Sequence, residues 1–358
     1  MIGRKKYGAV LALGLALGTT AACSEDGSDF VLHYTTYSSS TSDQSISVQR
    51  WAEEVERLTD GGVTVVFHYS QSLVGADEAV QATLDGRADL AQVGSIYAAS
   101  DLSMFTVIEL PFETSNPEAH MNSIVRLYEE SPVYREDFDR QGVRLLFPLP
   151  LGTILLGLME PAEDPSDLAG RSIRSGGLAS EVLLTSGVNP VAMTATDIYE
   201  SMERGIVDGY TALAIANLPA FGLTKASPYV VDPGIGAYSS SIVVINEDLY
   251  QSMPVEYQEA LDEASTKGIQ FGLEEMETAG RLACEELTAA GTEFSSFPDA
   301  AVEEWSGRQT VADEWVARYN ERGYDARSVL EDYRAIVTDE ESKSDFQDPL
   351  VACMEGTL

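Results

Sequence analysis

The stretch Asp167–Gly177, DLAGRSIRSGG, holds one arginine at the end of a short β-like run that opens into glycines. Arg171-Ser172-Ile173-Arg174 reads as the strand and Ser175-Gly176-Gly177 as the turn leaving it. A strand ending in such a turn presents its last side chain to the crevice at the carboxyl edge of the sheet, where open α/β sheets hold ligands. Arginine offers a planar fork of N–H donors that fits a carboxylate two-pronged. A second wall follows in sequence: Gly187–Met193, a short helix, and then Gly205-Ile206-Val207-Asp208-Gly209.

On the N-terminal side of this stretch, strands and helices alternate. Val31–Tyr37 and Val63–Tyr69 read as strands. Between them Val48, Trp51, Ala52, Val55 and Leu58 recur at helical spacing, and Asp60-Gly61-Gly62 ends the helix. Asp77–Leu84 reads as helix and Ala88–Val93 as a third strand. Val107–Phe112 continues the series as an extended run. Asn116 caps a helix with Pro117 at its first position. Val143–Phe147 is a further strand, and Pro148–Leu151 crosses to a second domain. Strand–helix alternation of this kind specifies an α/β sheet with crossovers. On the C-terminal side, Ser239–Asn246 reads as a strand returning to the first domain. Pro254 to about Ala290 is helical almost without a break. At ~1.5 Å per residue this helix spans about 55 Å, enough to cross both domains, with Gly268, Gly272 and Gly280 arguing against straightness. Asp299–Glu321 and Asp325–Val337 read as two more helices, followed by an acidic tail.

The chain of 358 residues exceeds one ordinary core and calls for two domains. A formal charge of −36 with no basic cluster makes nucleic acid an unsuitable partner. Arg4-Lys5-Lys6, the apolar run Tyr7–Gly18 and Thr20-Ala21-Ala22-Cys23 have the layout of an export leader. Cys23 after two alanines resembles the lipobox of bacterial lipoproteins, although Thr20 stands where leucine is usual. Plain secretion, with Cys23 removed or free, stays open. Membrane attachment is expected only through such an anchor, because no other stretch approaches ~20 consecutive apolar residues. In an oxidising compartment Cys284 and Cys353 form a disulfide that pins the C-terminal tail to the long helix.

Catalytic chemistry finds no constellation. His33, His68 and His120 lack ligand spacing and read as polar surface or strand-end residues. Nucleophile elbow, phosphate loop and zinc-helix motifs are missing, and the scattered carboxylates read as a solvated surface. The chain is therefore not expected to be an enzyme, and no metal or cofactor is expected. Arg174 taken alone also fits a structural ion pair.

Several stretches together resemble the DctP-like substrate-binding proteins of TRAP (tripartite ATP-independent periplasmic) transporters. They are Trp51–Val55 with Thr59-Asp60-Gly61, Ser72–Gly75, Leu84–Asp89, Leu110-Pro111-Phe112, Asp167–Arg174, Pro190–Met193, Ile198-Tyr199 and Gly205–Gly209, in that order over about Leu32 to Tyr324. The resemblance implies a periplasmic-binding-protein-like (type II) fold, with two α/β domains hinged about a cleft and a long helix spanning both. It implies domain I over 31–150 with a return segment 239–279, and domain II over 151–238 with helices in 280–337. A leader over 1–23, a linker over 24–30 and a tail over 338–358 complete the division. It also implies a ligand carboxylate on Arg174. Where family members that take multiply charged or sugar acids often carry a second arginine, this chain has Ile154. After the VDG run it has Tyr210-Thr211-Ala212. Ile154, Tyr210 and Thr211, with Tyr37, Ser95, Tyr97, Gly177, Met193 and Tyr238, make the expected pocket: apolar and aromatic, with Arg174 as its one cationic anchor. The expected ligand is a monocarboxylate with an apolar or aromatic body, handed to TRAP permease subunits in the membrane. A ligand-binding protein feeding a sensor, an exported α/β hydrolase and a structural lipoprotein with an unused cleft stand as alternatives.

Overall fold

The structure, a computed structural model, describes residues 28–358, so the leader and Cys23 lie outside the described residues. In chain order, β1 (Phe30–Thr35), α1 (Asp43–Leu58), β2 (Val63–His68), α2 (Ala79–Leu84) and β3 (Leu90–Gly94) alternate as the periodicity predicts. They are followed by α3 (Pro117–Glu130), α4 (Pro132–Arg140) and β4 (Val143–Leu149). Short strands then dominate: β5 (Leu156–Leu158), β6 (Ser172–Ser175), α5 (Gly177–Leu184), β7 (Asn189–Ala192), α6 (Ile198–Glu203), β8 (Gly209–Tyr210) and β9 (Tyr229–Asp232). Next come β10 (Ser241–Asn246), α7 (Glu247–Ser252), α8 (Val255–Thr266), α9 (Gly268–Ala290) and β11 (Glu293–Ser296). The helices α10 (Asp299–Gly307), α11 (Val311–Glu321), α12 (Ala326–Glu341) and α13 (Pro349–Glu355) close the chain.

Two sheets result. The first has the order β2-β1-β3-β10-β4, and the second β11-β9-β5-β8-β6-β7. In the first, β1 pairs in parallel with both β2 and β3, while β10 inserts antiparallel between β3 and β4. That order, with one late strand reversed in an otherwise parallel set, gives the two-domain α/β fold expected from the chain pattern. Val48, Trp51 and Val55 bury the apolar stripe of α1 against this sheet, packing with Tyr34, Leu90 and Phe147. The Ser42 hydroxyl caps that helix by accepting the Ser45 N–H at 3.1 Å. Asn116 does the same for α3, with Pro117 at its first position.

Three segments depart from their expected form. Val107–Phe112 is not extended: Met104–Glu109 is a fully buried 3₁₀ helix. The long helix is two helices, with Lys267 as the last-turn cap of α8 and the first cap of α9. The glycines explain the geometry that follows. A β-carbon on Gly268 would collide with the Phe147 ring of β4, and one on Gly272 with Pro150, so α9 lies directly on the strand that leaves the first sheet. Gly280 repeats the device against Pro349, and the helix continues to bury Ala283 and Leu287 beneath the second sheet. The span Asp299–Glu321 is interrupted after Gly307, giving α10 and α11. The stretch read as a tail is ordered as well: α12 runs to Glu341, and α13 is joined to α9 by the Cys284–Cys353 disulfide.

Candidate functional site

Strand β6 lies inside the second sheet, between β7 and β8, and its third residue is Arg174. The side chain is fully buried. Its Nε donates to the Met193 carbonyl at 3.1 Å and Nη1 to the Thr211 carbonyl at 2.9 Å. Nη2 donates to the Tyr97 hydroxyl at 3.3 Å. All three acceptors are neutral, and among the described residues no carboxylate lies within salt-bridge reach of this guanidinium. Burial pushes the Arg174 pKa down, and the neighbouring Tyr97, Tyr37 and Tyr238 hydroxyls oppose that. A guanidinium has five N–H donors, so one hydrogen on each terminal nitrogen is left over, the pair that a carboxylate takes two-pronged.

Opposite Arg174 stands the first sheet's edge. Tyr37 leaves β1, and its hydroxyl meets the Ser241 Oγ at 2.6 Å. Its ring packs edge-on against Tyr97, with centroids 5.4 Å apart. Burial, and then Tyr97, raise the Tyr37 pKa well above the ordinary phenol value, so the Tyr37 phenol stays a neutral donor or acceptor here. Ile96, Leu151, Leu213 and Phe221 supply apolar wall, and Ser239–Ser241 line the hinge side.

Of the expected pocket residues, Arg174, Tyr37 and Tyr97 line this cleft. The others sit elsewhere. Tyr210 fills the space above Gly157, is fully buried, and bonds the Ser227 hydroxyl at 2.7 Å, so its ring belongs to the core of the second sheet. Ile154 is buried in the main apolar cluster. Met193 packs its side chain into the cluster around Ile198 and offers Arg174 only its carbonyl. Thr211 likewise presents its carbonyl, while its hydroxyl donates to the Leu155 carbonyl at 2.8 Å. Ser95 is buried and shares a 2.8 Å hydrogen bond with Ser239.

Tyr238 and Gly177 belong to a second node beside the cleft. There Glu109, fully buried in the 3₁₀ helix, accepts the Leu178 N–H at 3.0 Å and stands 3.3 Å from the Tyr238 hydroxyl. That hydroxyl in turn accepts the Ala179 N–H. Burial raises the Glu109 pKa to about 7, against the lowering pull of Leu178, Ser95 and Tyr238.

The sequence reading did not single out Asp43, Gln44 or Asn217, which also line the cleft. Asp43 opens α1 and is buried, with Asn217 Nδ2 at 3.3 and 3.5 Å from its two oxygens. The available signal was the Ser42-Asp43 helix start directly after the loop leaving β1. His120 departs from expectation too. It is buried in α3 with its Nε2 3.2 Å from the Ile108 carbonyl, and burial lowers its pKa to about 4. His33 and His68 stand on adjacent strands with ring nitrogens 2.9 Å apart, away from the cleft. Among the described residues no group of three or more His, Cys, Asp or Glu is placed to hold a metal ion, and no helix is long and apolar enough to cross a membrane.

Comparison with known proteins places this geometry in a family. The sequence profile of DctP, bacterial extracellular solute-binding protein family 7, matches residues 34–320. The chain is 28% identical over 133 residues to the monocarboxylate 2-oxoacid-binding periplasmic protein all3028 of Nostoc, covering 37% of this chain and 36% of that protein's length. It is 21% identical over 306 residues to the C4-dicarboxylate-binding periplasmic protein DctP of Rhodobacter capsulatus, covering 81% of this chain and 90% of that one. Its fold is similar to a TRAP solute-binding protein from Rhodoferax ferrireducens, crystallised with copurified benzoate. The TM-score is 0.80 at 19% identity, over 87% of this chain and 99% of that one. The chain belongs to the DctP family, family 7 of the bacterial extracellular solute-binding proteins.

Proposed function

We propose that this receptor binds a monocarboxylate with an apolar or aromatic body, takes its carboxylate on Arg174, and delivers it to the membrane permease of a TRAP transporter. One observation carries the reading: a fully buried guanidinium whose protein partners are all neutral. Leaving a buried charge without a counter-charge typically costs ~3–5 kcal/mol. Closing the cleft over an anion therefore gains what closing it empty loses, and the ligand shifts the population toward the closed form that a permease would recognise. Among the described residues no other Lys or Arg lines the cleft, which disfavours a second carboxylate. Tyr37, Tyr97, Ile96 and Phe221 favour an apolar or aromatic body. The similarity to receptors named for a 2-oxoacid and a C4-dicarboxylate, and to one crystallised with copurified benzoate, supports organic acids as the class. On this reading the receptor works outside the cytoplasmic membrane, held there by lipid on Cys23.

The test is a thermal-shift screen of the leader-free protein against mono-, di- and sugar carboxylates, with Arg174→Gln alongside. A ligand at 100 times its Kd stabilises by about 2.7 kcal/mol, enough to move the melting midpoint by a few degrees. The expected result is a shift by apolar or aromatic monocarboxylates that vanishes in Arg174→Gln. A preference for succinate or a uronate would overturn the ligand class, and shifts that survive the substitution would remove Arg174 from the site.

A further inference from the structure

Arg174 is not the only buried charge in the cleft. Asp43 enters it from the opposite side, at the start of α1, and is as well shielded from water as the core around it. Among the described residues no Lys, Arg or His reaches it. Its one side-chain partner is Asn217, whose single amide nitrogen is spread over both oxygens at 3.3 and 3.5 Å. Two carboxylate oxygens offer about four acceptor positions, and Asn217 with the backbone N–H groups of Asp43 and Gln44 leaves room for a further donor from the cleft.

The surrounding side chains are committed elsewhere. Gln44 donates to the Pro150 carbonyl at 3.1 Å and accepts from Gln92 at 2.6 Å. The Gln92 carbonyl is taken by the Thr36 and Ser38 hydroxyls. Tyr37 is committed to Ser241. The side chains of this network bond one another and not Asp43, which takes only the Asn217 amide and nearby backbone N–H groups. Burial accordingly pushes the Asp43 carboxyl up to about 6, with Gln44, Asn217 and its own backbone amide pulling it down and Glu275 adding to the rise.

The cleft thus has two complementary poles: a guanidinium with unused N–H groups and a carboxylate with unused lone pairs. An unsubstituted apolar acid would satisfy the first and leave the second's remaining acceptor capacity buried and unmet, which is costly. We infer that Asp43 is a specificity-determining residue, selecting carboxylates whose body carries a hydroxyl or amino hydrogen-bond donor. The inference rests on the Arg174 carboxylate reading and narrows its ligand class.

Isothermal titration of the leader-free receptor tests it with two ligand series. One is benzoate with 3- and 4-hydroxybenzoate; the other is hexanoate with 6-hydroxy- and 6-aminohexanoate. At least one donor-bearing acid is expected to bind about tenfold tighter than its unsubstituted parent, the worth of one hydrogen bond to a charged group. Asp43→Ala is expected to erase that advantage: the parent acid then buries no carboxylate that lacks a donor, so its affinity rises toward that of the donor-bearing acid. Asp43→Asn keeps the shape of the helix start and guards against misfolding. It is expected to keep part of a hydroxyl's advantage and to lose an ammonium's, which separates the two donor chemistries. A donor preference that persists in Asp43→Ala, or a parent acid that binds the native receptor best, overturns the role of Asp43 and leaves the carboxylate reading standing. Binding that survives Arg174→Gln, or no binding by either series, overturns the carboxylate reading and this inference with it.

Discussion

The Tyr97 hydroxyl joins the two halves of the cleft at Arg174, accepting the guanidinium Nη2–H at 3.3 Å and the Ala195 N–H at 3.3 Å. Tyr97 stands in the turn after β3 of the first sheet, whereas Arg174 lies on β6 of the second and Ala195 in the 3₁₀ turn that follows β7. Because the oxygen accepts twice, its own hydrogen remains to be donated. An anion placed on the free N–H groups of Arg174 is within the chemistry that this hydrogen can serve. The phenol is thus a latch between the sheets and a candidate ligand contact in one atom.

Tyr97→Phe separates these roles from ring packing, since it keeps the edge-on contact with Tyr37. It removes two accepted hydrogen bonds and one available donor, and binding is expected to weaken by about 1–2 kcal/mol. Titration calorimetry with any acid that stabilises the native receptor checks this. An unchanged Kd would show that closure does not depend on the Tyr97 hydroxyl.

The buried acids set a pH dependence with a definite sign. Glu109 is raised by burial from 4.5 to about 7, and Asp43 and Asp348 from 3.8 to about 6. Between the ordinary and the raised values the folded chain holds protons that the unfolded chain has lost, so stability falls as pH rises through that window. Buried His120, lowered from 6.5 to about 4, works in the opposite direction: the unfolded chain gains a proton there and stability falls on acidification. Three acids against one histidine predict a ligand-free receptor that melts higher at pH 5 than at pH 8. Glu109→Gln is expected to flatten the part of the curve nearest pH 7. Melting curves across this range, with a slope unaltered in Glu109→Gln, would count against a raised Glu109.

How much of this was legible in sequence depends on how local each cause is. The apolar spacing of Val48, Trp51 and Val55 and the strand-to-glycine turn at Arg174 are local, and both were readable. Asp43 is one of 58 acidic residues, and what distinguishes it is burial by Asn217, which is remote in sequence. Tyr210 reads as a pocket residue until β5 is placed beside β8, because only the missing side chain of Gly157 makes room for its ring. The apolar run around Ile108 has a composition that suits strand or buried helix equally, and packing under α3 and α12 decides for the 3₁₀ form. The break at Lys267 escaped for the related reason that helical periodicity continues across it.

Gly177 shows how closely the strand carrying Arg174 is tied to the second acid. The residue has φ +54°, a conformation that costs an L-residue ~1–2 kcal/mol, and a β-carbon there would collide with Glu109 Oε2. Gly177→Ala must therefore both strain the turn after β6 and displace the carboxylate that receives the Leu178 N–H. Its expected cost is about 2–4 kcal/mol, more than the backbone alone accounts for. In a Glu109→Ala background the collision with the acid is gone, leaving the backbone strain and a tight approach to the Tyr238 hydroxyl, so the same substitution should cost at least about 1 kcal/mol less. Denaturant unfolding of the four variants closes the cycle. Strict additivity would mean that the turn and Glu109 are energetically independent, and that the acid is not what fixes the start of α5.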